Sequence, residues 1–158
     1  MWKYVIVCEH MSTTKSWFFI LIIVFLLVVI SLATSKSGPS AEIEEIKNLR
    51  TTAEQSEVLE KLLDRVGPVE AQEQLFVSGL PFTGETHLLI HTVGNYIYDK
   101  YGLEGLPLCK DYFLSACYHA FILNALADHG LQGLADTMDK CALAAPGVAA
   151  QCAHGAGH

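Results

Sequence analysis

The chain has 158 residues, 17 of them acidic and 10 basic, with seven histidines and five cysteines. That length supports one small domain. After Ala33 the balance is 16 acidic against 8 basic residues, which argues against a nucleic-acid reader, since such binding rests on clustered Lys and Arg.

Residues 1–16 form an N-terminal tail that holds Lys3, Glu9, Lys15 and two side chains without an evident role, Cys8 and His10. Residues 17–33 (WFFILIIVFLLVVISLA) then run for 17 residues without a charge. This is the short end of a transmembrane helix and too long for a typical signal-peptide core, so the segment reads as a single-pass membrane anchor. A cleaved signal peptide is the alternative, with small residues at Ala33, Thr34 and Ser35. Basic residues flank the segment on both sides, so their distribution does not orient it. A short tail and a large C-terminal body fit a signal anchor with the body extracytoplasmic. Four cysteines in that body suit the same oxidising compartment.

Residues 34–40 are a polar linker broken by Gly38 and Pro39. Residues 41–66 read as one amphipathic spacer helix, with Ile43, Ile46, Leu49, Ala53, Leu59, Leu62, Leu63 and Val66 at helical spacing and Gly67-Pro68 as its stop. It would serve as a stalk, as a surface for self-association or a protein partner, or as one wall of the domain. The apolar repeat breaks between Ala53 and Val58, which argues against a long coiled coil.

Residues 67–158 make up a His/Cys-rich helical domain. A short helical piece covers residues 69–79, and a loop covers 78–84. Thr83 and Glu85 suit the start of a helix that runs to Tyr101 and stops at Gly102. The next helix begins near Leu106, with Pro107 in its first turn, and ends at Gly130. Another covers 131–145 before Pro146-Gly147, and the chain is helix-compatible again from Val148. No strand-like alternation of useful length occurs. The fold class expected is all-α: an N-terminal transmembrane helix, a spacer helix, and a small bundle with a Cys-bearing helical hairpin. The chain ends inside a motif at His158, which leaves open whether it is a fragment.

On a continuous helix from 106 to 128, Cys109 and Cys117 would lie about 12 Å apart, too far for a disulfide. Folding the chain at Gly130 into an antiparallel hairpin brings Cys117 level with Cys141 and Cys109 level with Cys152. Two nested disulfides, Cys117–Cys141 and Cys109–Cys152, are therefore expected, with metal ligation by thiolates as the competing use. Such a hairpin resembles the twin-cysteine helical hairpins, whose spacing differs.

His87 and His91 are one helical turn apart and project on one face, as do His154 and His158. His119 sits mid-helix beside Cys117. Paired imidazoles at this spacing can chelate Zn, Cu or Fe. His129, next to Gly130, suits a helix C-terminal charge partner instead. There is no phosphate loop, no serine-nucleophile motif, no Cys-x-x-Cys-His haem site and no His-Glu-x-x-His.

The runs His87-Leu-Leu-Ile-His91-Thr-Val-Gly94, Cys117-Tyr118-His119 and Cys152-Ala-His154-Gly155-Ala-Gly157-His158 resemble an uncharacterised group of membrane-anchored bacterial and archaeal proteins. That group repeats a His-x-x-x-His-x-x-Gly helix, a Tyr-His-Gly helix and a Cys-x-His-Gly-x-Gly-His helix. Here Ala120 replaces the Gly, and Thr86 stands where the group has Cys. The resemblance implies no activity. Together these readings give a membrane-anchored, extracytoplasmic helical domain that binds a transition metal through His87, His91, His119, His154 and His158. A metal-free, disulfide-stapled interaction module is the first rival. A metal-dependent enzyme, with Glu85 as base, is the second.

Overall fold

The computed structural model describes residues 22–25, 40–143 and 146–157. By its contacts the chain divides into two units, Met1–Gly38 and Pro39–His158. Of the first, Ile22 to Phe25 is helical and exposed, and the rest of the expected anchor lies outside the described residues. Among the described residues no helix is long and apolar enough to cross a membrane.

The second unit is all-helical among its described residues. It begins with α1 (Ala41–Asn48) and α2 (Thr52–Val66), so the single spacer helix expected over 41–66 is in fact two. The break has a local cause. Thr51 leaves helical geometry and forms a capping box with Glu54, each side chain satisfying the other's backbone N–H. Gln55 then bonds back to the carbonyl oxygens of Ile46 and Leu49 at the end of α1, at 3.0 and 3.3 Å. Arg65 closes the pair with a forked contact to Glu42 at 2.7 and 2.8 Å. The apolar stripe of both helices, Ile43, Ile46, Val58, Leu59, Leu62 and Leu63, is buried. Residues 41–66 are thus a wall of the domain, and the domain begins well before residue 67.

Pro68 opens α3 (Pro68–Val77) at the position where a missing N–H costs nothing. Thr83 caps α4 (Gly84–Tyr101), the central helix, which packs on α2 on one side. There Ser56 and Thr92 share a hydrogen bond of 2.8 Å, and the Tyr96 hydroxyl donates to Asp64 at 2.8 Å. The other side of α4 meets α5 (Tyr112–Ala142) at Gly94. A Cβ at Gly94 would run into the Cys117 carbonyl and come within 2.8 Å of the Ala120 Cβ, so only glycine permits this crossing. α6 (Pro146–Ala156) completes the bundle against α5.

Between α4 and α5 the helix expected from Leu106 does not form. Gly102–Leu108 is a 3-10 turn containing Pro107, and Cys109 is extended. The backbone groups that a helix would have paired are held by side chains instead. Gln72, 2% exposed, donates to the Leu108 carbonyl and accepts from the Lys110 N–H, both at 2.9 Å. The buried Tyr118 hydroxyl donates to the Cys109 carbonyl at 2.9 Å. Burial, with the nearby charge of Asp111, pushes that phenol up to about 12, so it stays a donor.

These contacts overturn the expected disulfides. The bonds are Cys109–Cys117 and Cys141–Cys152, with Cα atoms 5.5 and 5.8 Å apart, and not Cys117–Cys141 and Cys109–Cys152. The 12 Å separation assumed an unbroken helix between Cys109 and Cys117. The extended residue at 109 removes it, as does a left-handed run over Phe113, Leu114 and Ser115, with φ of 51, 57 and 61°. The helix break expected at Gly130 does occur: its φ of 60° and ψ of −149° interrupt α5, and Gly133 packs so tightly on Ala125 that a Cβ would strike its carbonyl. Neither disulfide spans that break.

Candidate metal centre

Helical spacing places His87 and His91 on one face of α4, their ring centroids 4.9 Å apart. The close crossing at Gly94 meets α5 at Cys117, Ala120 and Phe121, the residues on either side of His119. His119 is buried, its ring 5.0 Å from His87 and 6.0 Å from His91. One nitrogen from each of the three rings lies within 4.8 Å of the others, so these three histidines could hold a metal ion. Tetrahedral zinc with bonds near 2.05 Å needs its nitrogens about 3.3 Å apart, which small ring rotations would reach.

Hydrogen bonding fixes the tautomer of His87. The Phe113 carbonyl lies 2.9 Å from His87 Nδ1, and a carbonyl only accepts, so Nδ1 carries the proton. In the neutral ring His87 Nε2 is then the lone-pair nitrogen, and it lies 3.1 Å from His119 Nδ1. A backbone carbonyl that fixes the tautomer in this way is the usual outer support of a metal-binding imidazole. His91 Nε2 is buried and has no hydrogen-bond partner among the described residues. Burial first, and the charge of His87 second, lower the pKa of His91, which keeps the ring neutral.

The Phe113 carbonyl reaches His87 because of the left-handed run. For L-residues each such conformation costs about 1–2 kcal/mol. Three in succession persist only where the surroundings hold them. The Cys109–Cys117 bond closes a loop of eight residues around the run, and the Ser115 hydroxyl donates to Gln151 of α6.

His154 arrives from α6 with its ring 5.2 Å from His119. Two neighbours in sequence explain how. Cys152 is tied to Cys141, and Gly155 sits against His119, Tyr118 and Ile122, where a Cβ would lie 3.2–3.3 Å from their atoms. His154 is exposed and stands beside the trio rather than in it. His158 lies outside the described residues. His129 is exposed beside Gly130.

Two of the trio, His87 and His119, line a cavity of about 490 Å³ together with Phe82, Thr83, Gly84, Phe113, Leu114 and His154. Glu85, the carboxylate considered as a base, lines a different cavity with Lys47 and Gln55. On α4 and α5 the Asn124 amide donates to the Asn95 Oδ1 at 2.9 Å. Sequence reasoning missed Phe82, Phe113 and Leu114, and it missed the Phe113 carbonyl. A backbone acceptor leaves no mark in side-chain spacing, so no signal could have found it.

No family model matches this chain, and no match is found among curated proteins or solved structures.

Proposed function

We propose that the domain binds one transition-metal ion, Zn, Cu or Fe by ligand type, through His87, His91 and His119, with His154 or His158 as a further ligand. The observation that carries this reading is the buried, unpartnered Nε2 of His91 beside two other imidazoles. A buried polar nitrogen left without a partner costs about 1–3 kcal/mol, and a metal ion would remove that cost. Two disulfides suit an oxidising compartment, and the apolar run over 17–33 would hold the domain to a membrane there.

The rival, a metal-free stapled module, also has an observation in its favour. The His87–His119 hydrogen bond already engages two of the nitrogens that a metal would take. Elemental analysis after loading with Zn, Cu, Ni or Fe separates the two. About one ion per chain is expected, lost in the His87→Ala/His91→Ala double variant and kept in His129→Ala. Affinity should fall as pH drops below about 6.5, where free imidazoles protonate. His91, with its lowered pKa, joins that competition at lower pH than an ordinary imidazole. Absence of stoichiometric metal in every preparation would leave the stapled module as the better reading.

A further inference from the structure

We infer that the cavity beside the trio is a ligand site that takes a small amphipathic molecule, with an apolar ring-sized body and a single nitrogen or oxygen donor. This rests on the metal reading above, because the donor would coordinate the ion.

The lining is of two kinds. One is the imidazoles of His87 and His119, both members of the trio, with His154 beside them. The other is Phe82, Phe113 and Leu114. The rings of Phe82 and Phe113 stack at 5.0 Å, Phe113 is buried, and Phe82 and Leu114 are 67% and 72% exposed. The Thr83 hydroxyl is committed to the start of α4, where it accepts from the Thr86 N–H. Among the described residues no Asp, Glu, Lys or Arg lines the cavity. A sugar or a nucleotide would lose many hydrogen bonds to water there and regain few, and a phosphate would meet no ammonium or guanidinium. The volume lies within the range of small-molecule sites, about 300–1,000 Å³. An apolar body against the phenyl rings, with one donor turned to the imidazoles, satisfies both kinds of lining.

The left-handed run is part of this site. It turns the Phe113 carbonyl to His87 and places Leu114 on the cavity wall. One strained segment therefore supports the metal ligand and shapes the apolar lining.

The test uses the full chain loaded with Co(II), whose visible spectrum reports its ligands. Imidazole and 4-phenylimidazole carry the same donor and differ by one phenyl ring. 4-Phenylimidazole should shift the spectrum with a dissociation constant at least about tenfold below that of imidazole, the gain expected from burying the ring. Leu114→Asn and Phe82→Ala should each shrink that gap to about threefold or less while Co(II) stoichiometry is unchanged. Asn accepts left-handed backbone more readily than Leu, so the first variant keeps the turn. Equal constants for the two probes on Co(II)-loaded protein would overturn the ligand site and leave the metal reading standing. Failure of Co(II) to bind would overturn the metal reading and this one with it.

Discussion

Residues 41–77 and residues 84–157 are built on different terms. The first region uses ordinary devices: a capping box at Thr51, a proline at the first position of α3, a forked Arg65–Glu42 contact and one apolar stripe turned inward. The second carries three left-handed residues, a glycine-only helix crossing, a buried imidazole nitrogen without a partner and both disulfides. Unfavourable local choices have gathered where the histidines meet. Covalent links sit at the same place, which is how a small helical domain can hold them. The first region lends rigidity through Gln72, which reaches across to fasten residues 108 and 110.

Changes in the second region should therefore alter both stability and metal binding, and changes in the first should alter stability alone. The largest effect is expected from His91→Ala. A ligand should be worth more than the supports around it, so metal affinity should fall by at least about 100-fold in a competition titration. The metal-free variant should melt at or above the wild-type temperature near pH 6, because an imidazole held neutral by burial is removed. The sign follows from the lowered pKa of His91. Its contribution is fully present above the unfolded value, about 6.5, and is lost as pH falls through the folded value. Equal melting curves for both proteins from pH 8 to 5 would show that His91 is not held neutral.

Next in size is the Cys109→Ser/Cys117→Ser double variant. Chain entropy for so short a loop sets the loss near 2–3 kcal/mol by denaturant titration. Metal affinity should fall about tenfold as well, since the Phe113 carbonyl loses its restraint on His87. The matching Cys141→Ser/Cys152→Ser pair should destabilise to a similar extent with a smaller effect on metal, because it orients His154 rather than the trio. A reversed ranking would move the centre of the site to α6.

Gly94→Ala should follow, with a loss of about 1–3 kcal/mol from overpacking at the α4–α5 crossing. Mid-helix, the same change elsewhere would stabilise by about 0.5–1 kcal/mol, so the sign itself is diagnostic. The smallest effect belongs to the first region. Thr51→Ala should cost about 1 kcal/mol through the lost cap and leave metal affinity within experimental error. A drop in affinity there would erase the distinction between the two regions.

How much could be read in advance follows the same division. Helical periodicity marked residues 41–66 as helical and gave their inward stripe, Thr83 and Gly102 bounded α4, and i, i+4 spacing put His87 and His91 on one face. Thr51 was the missed sign: Thr followed three residues later by Glu54 is a capping box, and it divides the expected spacer helix. In the second region the reading failed at one link. Leu106 to Asp128 has helical composition, and nothing in Phe113-Leu114-Ser115 announces a left-handed turn, since none of the three favours it. The turn is imposed from a distance, by Gln72 and Tyr118 taking the backbone groups around Cys109. The wrong disulfide pairing followed from that one missing break, while the break at Gly130 was legible because glycine marks it.

The actual pairing has a consequence for how the chain matures. Cys109–Cys117 and Cys141–Cys152 span 8 and 11 residues, and each observed pair is closer in sequence than either pair of the nested alternative. Closing a short loop costs an unfolded chain less entropy than closing a long one. Each of these four cysteines is nearest, along the chain, to its proper partner. Under oxidising conditions the correct bonds can therefore form in sequence order, one before the other, with little call on an isomerase to unscramble them.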